Sequence, residues 1–283
     1  MQPSFTVASS DGVTIAGYEH GGSGDTLLIA HATGFCGPMY DDVAALLTDQ
    51  FRVVSLDFRG HGKSTRPAND DFSWQRMTDD LLVVVQHIVG PAGAPIHAVG
   101  HSMGGATLLL GELRHPGTFR SLYLFEPIVV PDEGLDANMP NFMADAARSR
   151  RPVFPSPEAA LYRYASRPPL NQLRASALVA YIDNGFTVQA DGSARLSCLP
   201  EDEARTFASP DKAPVSAMRA VSTPTVVAVG YDEAGPNPAR FAPLVADAMP
   251  NCTVSRHPTL GHFGPFQDPI VVADDIRRHA SAN

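Results

Sequence analysis

The chain has 283 residues, with 30 Asp plus Glu against 21 Lys plus Arg, a formal net charge of −9, and 44% apolar residues. That balance is globular, and the length is enough for one domain with a large core. A net acidic chain is a poor electrostatic match for nucleic acid or an anionic membrane surface, so neither is expected as a partner.

The three cysteines, Cys36, Cys198 and Cys252, are too few and too scattered for a disulfide framework, and the absence of a C-x-x-C pair argues against zinc. The first residues show no basic region followed by an apolar stretch. No apolar run approaches the ~18 residues of a membrane span. The expectation is a soluble, cytoplasmic protein in a reducing compartment, with homo-oligomerisation left open.

Phe5 to Ala8 and Val13 to Tyr18 flank Ser9-Ser10-Asp11-Gly12 and predict a hairpin. Short apolar runs then alternate with helical patterns. The runs are Thr26–His31, Arg52–Asp57, Ile96–Gly100, Ser121–Glu126, Thr225–Gly230 and Cys252–His257. Continuous apolar runs suit strands buried on both faces. Helical spacing marks Asp41–Thr48, Ser73–Val89 and Met103–His115, the last stopped by Pro116-Gly117. The alternation predicts a mostly parallel sheet flanked by helices.

Between Ile128 and about Pro214 the alternation breaks. Helical patterns at Asn141–Arg148, Pro157–Ala165 and Leu173–Ile182 predict a helical insertion without buried strands. Residues 1–127 and 215–283 are thus expected to form the two parts of the core, and 128–214 a cap. The final helix is expected to start with Asp268 as N-cap and Pro269 at its first position.

The strongest chemical signal is Gly100-His101-Ser102-Met103-Gly104, a G-x-S-x-G pentapeptide with a buried strand before it and a helix after it. In that context the serine occupies a sharp turn that exposes its hydroxyl at the sheet edge, with the helix N-terminus aimed at it. Ser102 is therefore the candidate nucleophile.

Three further segments stand in order around it: His31-Ala32-Thr33-Gly34-Phe35 after the first buried strand, Asp57-Phe58-Arg59-Gly60-His61-Gly62-Lys63-Ser64 after the next, and Leu260-Gly261-His262-Phe263 after the last. With the Ser102 turn they resemble the α/β-hydrolase superfamily over nearly the whole chain outside the insertion. The resemblance implies the α/β-hydrolase fold and a base at His262, in the chain order Ser, acid, His. His257 is the nearest competitor. His31 and His61 are read as bracing their loops, Arg59 as structural, and His101 is given no proton-transfer role.

The acid that orients the base has two family positions. Glu126 ends an apolar strand at the sheet's functional edge, where a charge needs a partner. Asp232 and Glu233 follow the strand Thr225–Gly230. Glu126 is preferred and the other two stay open. The resemblance also implies an oxyanion hole made of backbone N–H groups, from Met103 and from the His31–Phe35 loop. In that loop Phe35 is preferred, with Thr33 and Gly34 open, because Ala32 replaces the family's usual glycine.

These residues predict a serine hydrolase that cleaves a carboxylic ester or lactone of small to medium hydrophobic size. Ser102 argues against the superfamily's epoxide hydrolases and haloalkane dehalogenases, which need a carboxylate nucleophile. Carbon–carbon bond hydrolysis, thioester hydrolysis, cofactor-free perhydrolysis and a slow-turnover ligand receptor are the alternatives on the same residues. No cofactor or metal is expected, since neither G-x-G-x-x-G after the first buried strand nor H-E-x-x-H occurs. The Arg148-Ser149-Arg150-Arg151 run reads as a solvated face.

Overall fold

The computed structural model describes residues 1–90, 93–132, 141–231 and 238–283. Strands β1 (Phe5–Ala8) and β2 (Thr14–Gly21) form the expected antiparallel hairpin, with Phe5 opposite Gly17. Alternation follows through β3 (Asp25–Ala30), α1 (Asp41–Leu47), β4 (Phe51–Leu56), α2 (Trp74–Val89), β5 (Ile96–His101), α3 (Met103–Arg114) and β6 (Phe119–Phe125). After the insertion come β10 (Thr225–Val229), α8 (Ala242–Ala248), β11 (Cys252–Arg256), α9 (Gly264–Gln267) and α10 (Pro269–Ala280).

The main sheet has eight strands in the order β1-β2-β4-β3-β5-β6-β10-β11. Pairings from β4 to β11 are parallel, and those of β2 with its two neighbours are antiparallel. Side chains alternate across it with period two. On β3, Leu28 and Ala30 join the apolar layer formed with α2, α3 and α8, while Leu27 and Ile29 join the layer formed with α1 and α10. Both faces of the central strands are covered, which is why β10 is apolar and buried along its whole length; β11, expected to be buried on both faces, lies at the sheet edge with none of its residues fully buried. The order reverses between β3 and β5, so a crevice opens beyond their carboxyl ends. The His31–Phe35 loop and Ser102 stand at that place.

The insertion contains α4 (Phe142–Arg148), α5 (Pro157–Ala165), α6 (Ala175–Gly185) and α7 (Pro200–Ala208). It also holds a three-stranded antiparallel sheet of β7 (Val153–Phe154), β8 (Phe186–Val188) and β9 (Ala194–Leu196), which the sequence reading did not anticipate. Strands of two or three residues carry too little periodicity to be seen. α7 was missed too. Its pattern is largely polar, and its burial rests on packing against α4 and on the Trp74 Nε1 bond to Thr206 O.

Apart from a small cluster of Ala144, Ala147 and Ala204 between α4 and α7, the described buried apolar residues of the insertion share the core of the main sheet. Phe154, Leu170, Leu173, Tyr181 and Phe186 are buried in one cluster with Ile29, Tyr123 and Phe125 of the main sheet. Phe142, Met143 and Tyr162 are exposed instead. The seam is also polar. Asp211 accepts the Trp74 and Gln75 N–H groups at 3.1 and 2.7 Å and so caps α2, where Ser73 makes no side-chain cap. At α10 the Asp268 carboxylate caps Val271 N–H at 3.2 Å and Pro269 follows it, as expected.

Candidate active site

Ser102 sits between β5 and α3 with φ 54° and ψ −114°. That left-handed backbone is costly for a residue with a Cβ, and it is held by contacts on both sides. The Ser102 N–H donates to Phe125 O at 2.9 Å, and its carbonyl accepts Ala106 N–H at 3.1 Å. The flanking glycines are required by close approach. A Cβ on Gly104 would stand 2.1 Å from Ala30 O, and one on Gly100 would stand 2.5 Å from Gly105 Cα. Ser102 is 7% exposed. Met103 opens α3, so its N–H has no partner within the helix.

Glu126 follows β6, with φ 45° and a fully buried side chain. Its N–H donates to Ala228 O at 2.9 Å, which pins it to β10. Both carboxylate oxygens are used. Oε1 accepts the Gly230 N–H at 2.9 Å, and Oε2 meets His262 Nδ1 at 2.6 Å. An ionised carboxylate only accepts, so Nδ1 carries a proton, and in the neutral ring Nε2 keeps its lone pair. A lone pair at Nε2 is what a general base needs. The base loop is itself clasped. Tyr231 N–H donates to Leu260 O at 2.8 Å, and Gly261 N–H to the Gln267 side chain at 2.7 Å. Asp232 and Glu233 lie outside the described residues.

His257, the competing base, is placed elsewhere. Its Nε2 meets Asp275 of α10 at 3.1 Å and Tyr123 OH at 3.4 Å.

The loop after β3 is shaped by two buried histidines. His31 Nε2 accepts Phe58 N–H at 3.0 Å, and Nδ1 donates to Ala32 O at 2.8 Å. His61 Nε2 accepts Gly34 N–H at 3.1 Å, and Nδ1 donates to Arg59 O at 2.9 Å. Each ring accepts once and donates once, which requires the neutral form, and burial lowers both pKa values accordingly. Arg59 is buried against Asp80, at 2.7 Å from Nε, and also reaches Asp11 and Ser10.

The expectation for Phe35 needs correction. Its N–H turns back onto Ala32 O at 3.2 Å, closing a tight turn, so it does not stand free to meet an oxyanion. Gly34 N–H is taken by His61. The Thr33 N–H has no hydrogen-bond partner among the described residues. Phe35 serves as a wall, with its ring edge-on to Tyr181, Phe263 and Phe266 at 5.2 to 5.7 Å.

The arginine run is also not a simple solvated face. Arg148 pairs with Asp145 and Glu201 on the surface. Arg150 turns inward, where it bonds Glu203, Tyr181 OH and, at 3.3 Å, Tyr164 OH. Glu203 lies directly over Gly34, where any Cβ would stand 2.6 Å from Oε1. Sequence spacing gave no sign of this pair, because its members are 53 residues apart.

Among the described residues no three His, Cys, Asp or Glu side chains converge to hold a metal ion. No helix of the described residues is long and apolar enough to cross a membrane.

The sheet order, the serine turn and the loops at its carboxyl edge define an α/β-hydrolase fold. The chain belongs to the alpha/beta hydrolase family, whose model matches residues 20–275. It is similar to protein phosphatase methylesterase 1 of Bos taurus, 36% identical over 91 residues, covering 31% of this chain and 24% of that protein. It is similar to the probable oxidoreductase EphD of Mycobacterium tuberculosis, 25% identical over 312 residues, covering 99% of this chain and 50% of that one. The chain thus spans between a quarter and a half of these curated relatives. Among solved structures, E-2-(acetamidomethylene)succinate hydrolase matches with a TM-score of 0.79 at 21% identity, covering 98% of this chain and 99% of that one. A thermophilic esterase from Thermogutta terrifontis matches with 0.72 at 22% identity, covering 100% and 99%.

Proposed function

We propose that the protein is a serine hydrolase acting on a carboxylic ester or lactone of small to medium hydrophobic size. The observation that carries this reading is the 2.6 Å contact of His262 Nδ1 with the buried Glu126, at the sheet edge that also presents the Ser102 turn. Family membership and the esterase and methylesterase names among its relatives support it.

In this reading Ser102 Oγ attacks the substrate carbonyl carbon and its proton passes to His262 Nε2. Glu126 holds the ring and balances the imidazolium. Met103 N–H and Thr33 N–H meet the oxyanion, with the α3 N-terminus behind it. The tetrahedral intermediate collapses, and the leaving alkoxide takes the proton from His262. Water then attacks the acyl-Ser102 ester, losing a proton to His262, and the acid departs as Ser102 is reprotonated. Ser102 is only 7% exposed, which favours an acyl group of limited length.

The test is hydrolysis of p-nitrophenyl esters of increasing acyl length by the wild type and Ser102→Ala. Short esters are expected to turn over best, and Ser102→Ala to lower kcat by on the order of 10⁵-fold or more. Ester hydrolysis that survives in Ser102→Ala overturns the assignment. Phosphonate labelling of Ser102 without ester turnover shifts the reading to carbon–carbon bond hydrolysis or ligand retention.

A further inference from the structure

Three hydrogen bonds run in series beneath the candidate site. Ala32 N–H donates to Tyr40 OH at 3.2 Å, Tyr40 OH meets His101 Nδ1 at 2.8 Å, and His101 Nε2 meets the His262 carbonyl at 2.8 Å. Their directions are determined. A carbonyl only accepts, so His101 carries its proton on Nε2. Its Nδ1 then accepts the single Tyr40 proton, and the Tyr40 oxygen is left to accept Ala32 N–H. Only neutral His101 also gives the buried Tyr40 proton a partner. Burial, and the charge of a protonated His262 beside it, lower the His101 pKa and keep it neutral.

Tyr40 and His101 are each 1% exposed. Both rings pack on Phe266 of α9, at 4.7 and 5.7 Å, and Phe35 packs on it at 5.2 Å. Water is thereby kept from competing for the chain of bonds. The chain joins residue 32, in the loop that would supply an oxyanion donor, to residue 262, the candidate base. His101, one of its two inner members, is covalently adjacent to Ser102.

We propose that His101 and Tyr40 are positioning residues that fix the oxyanion loop and the base loop in register with the nucleophile, a role that rests on the serine hydrolase reading above. Neither side chain touches the reacting atoms. Each sets where other groups stand, and a displacement of about 1 Å in such a group costs on the order of 10²-fold in rate.

Tyr40→Phe removes one oxygen from the middle of the chain and keeps the packing. It is expected to lower kcat for a short p-nitrophenyl ester by about 10- to 100-fold, with KM changed less than about twofold. His101→Leu is expected to do at least as much. The double variant should be no worse than the poorer single one, since both cut the same chain. His101→Gln keeps one donor and one acceptor and is expected to recover part of the loss. The low-field proton resonance of His262 Nδ1–H, which needs no substrate, should shift in Tyr40→Phe and His101→Leu. If folded Tyr40→Phe keeps both its kcat and that resonance, the positioning role is overturned, and this variant decides alone should His101→Leu not fold. Ser102→Ala separates the two readings. Its full activity sinks the serine hydrolase reading, while the resonance still reports whether Tyr40 and His101 hold His262.

Discussion

At Glu126, one carboxylate does two structural tasks with its two oxygens, and the chemistry follows from how both are tied. Gly230 N–H on Oε1 fixes the rotamer, and Oε2 is left facing His262 Nδ1. Glu126→Gln keeps the size but makes one terminus a donor, which must face either Gly230 N–H or His262 Nδ1–H. The expected result is a loss of on the order of 10³- to 10⁴-fold in kcat with the fold retained, the size seen when a triad carboxylate elsewhere becomes an amide. Near-normal turnover in Glu126→Ala would pass the role to Asp232 or Glu233.

The same scale shows where sequence reading stopped. Ser102 is legible because the G-x-S-x-G spacing is local. The sequence points to Phe35 as a donor, but its N–H turns back onto Ala32 O, and how that loop closes on His61 and Tyr40 is not encoded locally. His101 was seen, but its two partners lie 61 and 161 residues away.

At the scale of elements, β11 is tied to α10 by a buried polar cluster. Asp275 Oδ2 meets His257 Nε2 and Tyr123 OH at 3.1 Å each, and Oδ1 accepts from Arg278 at 2.8 Å. Burial raises the Asp275 pKa, but bonds from His257, Ser255 and Arg278 outweigh it and hold the carboxyl well below the usual range. A carboxyl depressed in the folded state contributes stability that is complete above its unfolded pKa, roughly 4, and is lost as pH falls below that value. Asp275→Asn is therefore expected to cost about 1–3 kcal/mol at neutral pH. The gap to wild type should close as pH falls below about 4. Urea unfolding of both proteins across that range checks the sign, and a penalty independent of pH would contradict it.

Long helices with an apolar stripe, such as α2 and α3, are legible in the sequence, whereas the nine-residue α7, largely polar, is not. Nor are the short strands β7, β8 and β9 and the four-residue α9. Pieces of that length are stabilised by what they pack on, not by their own pattern.

For the molecule as a whole, the main question is how the insertion is fastened over the sheet. One clamp is Arg66, whose Nε and Nη2 reach Asp202 of α7 at 2.7 and 2.9 Å. Asp202 is 1% exposed, whereas the arginine is 40% exposed and screened by solvent. A second is Trp74 Nε1, which donates to Thr206 O at 2.9 Å. Arg66→Ala leaves a buried carboxylate without its guanidinium, and after the discount for solvent the expected cost is about 1–3 kcal/mol. Limited proteolysis should then cut faster within residues 199–212, while phosphonate labelling of Ser102 persists. Unchanged proteolysis in a folded variant would show that the apolar seam alone holds the insertion.

What the sequence determined by itself was everything encoded over a few residues. That covers the doubly buried strands, the hairpin, the Asp268-Pro269 helix start and the turn that presents Ser102. Each follows from side-chain period or from steric limits on the local backbone. The tertiary structure alone decided which of these pieces meet. It brought Glu126 to His262 across 136 residues, occupied the Phe35 N–H, turned Arg150 inward and merged the insertion's apolar side chains with the sheet's core. Those choices depend on buried polar groups finding partners at hydrogen-bond distance, and the distance along the chain does not encode that.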